Sequence, residues 1–275
     1  MKLGVFIQFA KDGKLQDMRA EFQKLHDYGF AACQIHGGGF FSLTDEEAAY
    51  IRSASEKFGV EITALWWGWS GPAKWNFTEG PATLGIVPTA YRFQRLRELM
   101  HGADVAAKLG VSDIITHMGF IPENPNTTEY REVVAAIRYL AEYCKTRNQW
   151  VLFETGQETP VTLLRTIEEV GTENLGINLD TANLILYGKA NPVDALDVFG
   201  KYVRNTHMKD GFYPTDGMHL GKEVPIGQGK ADFPAVIAKL KALGYAGPLN
   251  IEREISGEQQ IKDILAAKTY LEALL

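Results

Sequence analysis

Eight times along this chain, a short run rich in Val, Ile and Leu is followed by a longer segment with helical spacing. That alternation is the pattern of a parallel sheet covered by helices. The strand-like runs are 3–9, 30–36, 60–67, 113–117, 150–154, 175–180, 203–207 and 248–254. Helical segments follow at 15–29, 45–57, 91–109, 130–146, 161–170, 192–199, 234–243 and 257–275. In the second, Thr44 reads as a cap and Phe58-Gly59 as a stop. Eight such units in 275 residues predict an α/β fold, a single (β/α)8 barrel domain spanning 1–275. The competing open sheet, in its dinucleotide-binding form, needs GxGxxG after the first strand. Here that strand runs into FAKDGK, and the GGG at 37–39 follows the second strand with the wrong spacing, which makes it loop punctuation. Two connections are long, 68–90 and 208–233. Loops of this length are often lids or binding loops, and the first is a candidate lid or oligomer contact.

Net charge narrows the partner. The chain carries 28 Lys and Arg against 34 Asp and Glu, a formal charge of -6. It lacks the basic footprint that a phosphate backbone requires, so nucleic acid is excluded as a partner and a small molecule is favoured. The apolar runs are too short to cross a bilayer, which argues against a membrane partner. Cys33 and Cys144 sit inside apolar segments and outside any CxxC pair. They read as buried free thiols in a reducing compartment. The first apolar run is short and is followed at once by KDGK, so it reads as a strand and not as a leader. A cytoplasmic location is expected, and a homo-oligomer is compatible with all of this.

The last four barrel-type runs each end on a residue able to hold a metal: VLFE at Glu154, GINLD at Asp180, RNTH at His207 and LNIE at Glu252. In a parallel α/β barrel the chemistry sits at the C-terminal ends of several strands. Each residue has an ordinary reading of its own. Glu154 could be an exposed loop acid, Asp180 a helix N-cap, and His207 a hydrogen-bonded core residue. Glu254 shares a strand face with Glu252 and competes with it for the inward position, which Glu252 takes by following the apolar run directly. Four such coincidences at successive strand ends point instead to one divalent-metal site. His36 and His117 also end strands, and Trp66, Trp67 and Trp69 could wall the mouth for a sugar ring. Asp210 could orient His207 or cap a turn, and Lys209, Lys222 and His219 could meet an acidic substrate group or be solvated loop charges.

At FETG (153–156), NLDTAN (178–183), NTHMKD (205–210), PIGQGKADF (225–233) and GPLNIERE (247–254) the chain resembles the xylose isomerase-like TIM barrel superfamily. Within it, the sugar-phosphate isomerase/epimerase group is the nearer likeness, with ketose 3-epimerases, hydroxypyruvate isomerase and inosose dehydratase. The resemblance covers nearly the whole chain. It implies that Glu154, Asp180, His207 and Glu252 hold one divalent ion, manganese first, with magnesium, cobalt or zinc as the others. Two positions depart from the ketose 3-epimerases: Asn183 stands where they carry a His, and no Arg follows His207 within a few residues. Both positions normally touch substrate. Endonuclease IV uses the same barrel for three zinc ions and DNA, but six histidines and a net acidic chain argue against that role here.

The chemistry implied is metal-assisted proton abstraction next to a carbonyl, through a metal-stabilised enediolate of a carbohydrate substrate. Glu154 and Glu252 would be catalytic as well as ligating, and His36, Trp66, Trp67, His117, Asn183 and Lys209 would contact substrate. If each glutamate serves one face of the reacting carbon the result is an epimerase. If one glutamate moves the proton between neighbouring carbons the result is an isomerase. An inosose dehydratase-type lyase and a non-catalytic metal-dependent sugar-binding barrel are the alternatives.

Overall fold

A computed structural model describes residues 1–9, 15–37 and 42–275. The run after Phe9 that was weighed against a dinucleotide fingerprint, and Gly38 and Gly39 of the triple glycine, lie outside the described residues. In chain order the strands are β1 (Lys2–Gln8), β2 (Ala32–His36), β3 (Glu61–Trp66), β4 (Asp113–Thr116), β5 (Trp150–Glu154), β6 (Leu175–Asp180), β7 (Val203–Met208), β8 (Asp210–Phe212), β9 (Lys222–Val224) and β10 (Pro248–Ile251). Strands β8 and β9 form an antiparallel hairpin. The other eight close into a parallel barrel in the order β1-β10-β7-β6-β5-β4-β3-β2.

The helices are α1 (Leu15–Asp27), α2 (Asp45–Phe58), α3 (Gly80–Thr83), α4 (Thr89–Lys108), α5 (Thr128–Lys145), α6 (Pro160–Val170), α7 (Asn183–Leu186), α8 (Pro192–Phe199), α9 (Phe233–Ala242) and α10 (Glu258–Glu272). Their starts follow from local chemistry. Thr44 and Glu47 form a reciprocal capping box on α2, and Gly59 ends that helix at φ 65°. Thr159 and Asn191 cap α6 and α8, each with Pro at the first helical position, where its missing N–H costs nothing. No helix among the described residues is long and apolar enough to cross a membrane.

Side chains alternate across each strand, and this parity divides the interior in two. Outward residues such as Ile35, Leu65, Val151, Phe153, Ile177, Leu179, Leu249 and Ile251 join the helices in the main core. Inward residues fill the lumen. One side of it is apolar, with Ala64, Trp66, Ile115 and Leu152. The other side carries Gln34, Asn178, Asn205 and Asn250, all buried. Asn250 fits because its neighbour is Gly4: a Cβ there would stand 2.1 Å from Asn250 Oδ1 and 2.9 Å from the Ala32 carbonyl.

The long loops hold structure that periodicity does not reveal. Loop 68–88 contains α3 and is pinned by Arg95, a fully buried side chain. Its guanidinium donates to the carbonyls of Ser70 (3.2 Å), Pro72 (2.9 Å), Thr83 (2.8 Å) and Gly85 (2.6 Å). The loop after β7 is organised by Asp210. Its carboxylate accepts backbone N–H groups from Gly211, Ala231, Gly227 and Gly229 at 2.8 to 3.1 Å. Of the two roles open to Asp210 in the sequence, the structure shows the turn cap.

Candidate metal centre

Strands β5, β6 and β7 end at or next to Glu154, Asp180 and His207, and Glu252 directly follows β10. Strand parity turns all four inward, and one ligand atom from each lies within 4.8 Å of the others. All four are buried. His207 Nδ1 stands 2.9 Å from Glu154 Oε1, 3.2 Å from Glu252 Oε2 and 3.8 Å from Asp180 Oδ2.

Asp180 has two jobs, one per oxygen. Oδ1 accepts the N–H groups of Ala182 (2.8 Å) and Asn183 (2.7 Å) and so folds the turn that leads into α7; the N-cap residue of that helix is Ala182, two positions beyond the one the sequence suggested. Oδ2 is buried in the cluster without a hydrogen-bond partner, its nearest cation being Lys209 Nζ at 3.5 Å. A buried carboxylate oxygen left in this state is a vacant donor for a cation.

Lys209, expected to contact substrate or to be a solvated loop charge, stands instead among the acids of the cluster. Its side chain is buried, and Nζ lies 2.7 Å from Glu254 Oε1, 3.3 Å from Glu252 Oε2 and 3.3 Å from Asn183 Oδ1. Burial opposes its charge, but Asp180, Glu252 and Glu254 outweigh burial and raise its pKa well above the usual lysine range. Lys209 is shared between these carboxylates and Glu254, so the three acids of the cluster keep a net negative charge that a divalent ion would offset. The donor set of three carboxylate oxygens and one imidazole nitrogen suits a divalent metal ion. The residues therefore fit the ion that the fold family implies.

Without that ion the protein spreads protons over the cluster. Burial, reinforced by Glu252 and Glu154, raises Asp180 well above the carboxylate range. His207 is raised well above the usual imidazole value because Glu252 and Glu154 outweigh its burial. Glu154 and Glu252 stay ionised: burial works against them, and His117 and His207 for the first, Lys209 and His207 for the second, prevail.

Around the cluster stands a wall of rings. The Trp66 indole N–H donates to Glu154 Oε2, and His117 Nε2 lies 3.2 Å from the same oxygen. Burial lowers the pKa of both His117 and His36. His36 stacks on Trp66 with centroids 4.5 Å apart. Trp75, from the long loop, packs edgewise on His117 at 5.0 Å. The cleft over the cluster has a volume of about 430 Å³ and is bounded by Phe6, Trp75, Tyr187 and Leu220 among others.

Of the expected substrate contacts, His36, Trp66, His117 and Asn183 line this cleft, and Lys209 is spent on carboxylates at its base. Trp67 is a correction. Since Trp66 faces the lumen, alternation turns Trp67 outward, where it is buried against α4 beside His101. Gly102 makes the room: a Cβ there would come within 2.4 Å of the Trp67 ring. Glu254 is the exposed acid of its pair and Glu252 the buried one. His219 and Lys222 are exposed, His219 being held by Asp216 at 3.1 Å.

Sequence reasoning overlooked Gln34, Trp75, Gln157 and Tyr187 at this site. The asparagines below the cluster did leave a signal. Asn178, Asn205 and Asn250 each precede a clustered residue by two positions and so share its strand face.

A family model described as xylose isomerase-like TIM barrel matches residues 22–273. The crystal structure of a xylose isomerase domain protein from Planctomyces limnophilus superposes with a TM-score of 0.90 at 34% identity, covering 99% of this chain and 96% of that one. The 3-keto-D-glucoside 4-epimerase YcjR from E. coli superposes at 0.70 with 17% identity over 99% of each chain. A D-psicose 3-epimerase superposes at 0.74 with 15% identity over 100% of this chain and 99% of its own. The last two likenesses concern the fold. An uncharacterized protein of Methanocaldococcus jannaschii is 25% identical over 272 residues, 94% of this chain and 86% of that protein.

Proposed function

This chain belongs to the xylose isomerase-like TIM barrel family, and on that footing we propose that it is a divalent-metal-dependent epimerase or isomerase of a keto sugar, working by proton abstraction next to the carbonyl. The observation that carries this reading is the buried cluster of Glu154, Asp180, His207 and Glu252, whose ligand atoms lie within 4.8 Å of one another and whose net negative charge calls for a cation. Bound there, manganese or a similar ion would polarise the carbonyl and offset the charge that develops as the neighbouring carbon loses its proton.

The residues of the chain do the rest. Glu154 and Glu252 are ionised carboxylates in one cleft, so either can take a proton from carbon. The Trp66 N–H donates to Glu154 Oε2 and His117 stands beside the same oxygen, which fixes the carboxylate plane. Lys209 holds Glu252 in the same way. The rings of Trp66 and Trp75 offer flat apolar surfaces to a sugar and exclude water from the reacting carbon. When one glutamate removes the proton and the other, after taking one from a substrate hydroxyl or from water, gives it to the opposite face, the centre inverts. When one glutamate does both at neighbouring carbons, a ketose becomes an aldose.

The test is incubation of the manganese-supplemented protein with a ketose and inosose panel in deuterium oxide. Deuterium entering at the carbon next to the carbonyl, with an epimer or aldose formed, is the expected result. Loss of water from an inosose would replace the reading by a lyase. Absence of exchange with every substrate would leave a sugar-binding barrel.

A further inference from the structure

His207 has two ring nitrogens, and only the one without a proton can hold a cation. Which one that is follows from a chain of hydrogen bonds below the cluster. Asn205 Oδ1 accepts the backbone N–H of Thr206 at 3.1 Å, and Asn205 Nδ2 donates to the Thr63 carbonyl at 3.3 Å. A backbone N–H only donates and a backbone carbonyl only accepts, so the Asn205 amide has one orientation. Gln34 Nε2 lies 2.7 Å from that Oδ1, 3.1 Å from Asn178 Oδ1 and 3.4 Å from the Thr206 carbonyl. This end of Gln34 must be the NH₂ group. The other end, Oε1, is therefore an acceptor, and it stands 2.6 Å from His207 Nε2. Nε2 carries the proton, and Nδ1 is the nitrogen aimed at the three carboxylates. Gln34 and His207 are fully buried, and the Phe6 ring packs on the imidazole at 4.7 Å, so bulk water does not compete for Nε2.

We propose that Gln34 is the positioning residue of the metal centre, locking His207 in the tautomer that carries its proton on Nε2 and presents Nδ1 to the ion. This rests on the metal reading given above. The partner of a metal-binding imidazole is often a carboxylate, which would add a further negative charge. A neutral carboxamide fixes the ring equally well and adds no charge to a cluster that is already net negative. Its own orientation is imposed by backbone groups of β3 and β7, so the proton kept when an ion takes the place of the one on Nδ1 is the one on Nε2.

Gln34→Met keeps the length of the side chain and removes the acceptor, and Asn250→Leu removes another amide of the same layer, one bonded to Asn205 at 2.8 Å. Both are titrated calorimetrically with manganese alone, beside the unaltered protein. Gln34→Met is expected to bind about 10- to 100-fold more weakly, with Asn250→Leu within about threefold of the parent. Equal weakening in both variants would assign the effect to shared packing and overturn the proposal, as would unchanged affinity in a folded Gln34→Met; either leaves the metal reading standing. An unaltered protein that binds no divalent ion overturns both. Nitrogen NMR of the zinc-loaded, histidine-labelled parent needs no variant. A proton on His207 Nε2 with zinc on Nδ1 is expected, and the reverse assignment would overturn the proposal.

Discussion

Two successive layers of the barrel lumen are equally buried and chemically opposite. The upper holds Glu154, Asp180, His207 and Glu252; the lower, two residues earlier on the same strands, holds Leu152, Asn178, Asn205 and Asn250, joined by Gln34. Depth does not distinguish them, because all nine are nearly inaccessible. What differs is the counter-charge. The upper layer has Lys209 and room for a divalent ion, so carboxylates persist there. The lower layer is met by other amides and by backbone groups, so its polar residues are neutral. Charge is confined to the level where it is compensated, and the neutral level beneath holds it in register.

The largest effect is expected where a charge of the upper layer is removed. Glu154→Gln and Glu252→Gln keep shape and should each lower deuterium exchange into substrate by roughly 10²- to 10⁴-fold. Full exchange in Glu252→Gln would detach the chemistry from the upper layer, since Glu254, the other acid on that segment, is exposed and held by Lys209.

Glu158 sharpens the comparison as a buried acid outside both layers. Burial pushes its carboxyl up to about 8, against the pull of nearby backbone groups and Lys189. Its folded pKa is above its unfolded one, so the folded state holds the extra proton. Its contribution is fully present below about pH 4.5 and is lost as pH rises through 8. Glu158→Gln should therefore match the parent in stability at pH 4 and exceed it by roughly 4 to 5 kcal/mol at pH 9. Denaturant unfolding at the two pH values measures the difference, and equal stabilities at pH 9 would mean that this acid is compensated after all.

In the lower layer, Asn205→Ala strands several donors at once: Gln34 Nε2, Asn250 Nδ2 and the Thr206 N–H. A loss of about 2 to 4 kcal/mol is expected by urea unfolding. A loss under about 1 kcal/mol would show the amides to be replaceable filling.

What was legible in the chain follows the range of the interactions. The eight barrel strands and the clustering of Glu154, Asp180, His207 and Glu252 were readable because parity and strand ends are local facts. The same parity rule, applied one residue further, places Trp67 outside the lumen. The hairpin β8–β9 and the turn α7 were not readable. The loop after β7 is folded by Asp210 reaching backbone groups up to 21 residues away, and α7 is one turn held by the side chain of Asp180. Gln34 was hidden for the same reason: its partners lie 144 and more positions along the chain.

The smallest expected effect tests the border between the two halves of the upper layer. Trp66 belongs to the aromatic half, stacked on His36, yet its indole N–H reaches Glu154 in the acidic half. Trp66→Phe keeps an apolar ring and deletes that one donor. His117 still stands beside Glu154 Oε2, so only the orientation of the carboxylate loosens. A lost hydrogen bond to a charged group is worth about 1.5 to 3 kcal/mol at most, and part is recovered by His117. The turnover rate should fall about 5- to 20-fold, with KM changing little because the stacking surface survives. A variant that instead raises KM and spares turnover would assign Trp66 to substrate binding alone, and the acidic half would then hold Glu154 without help from the rings.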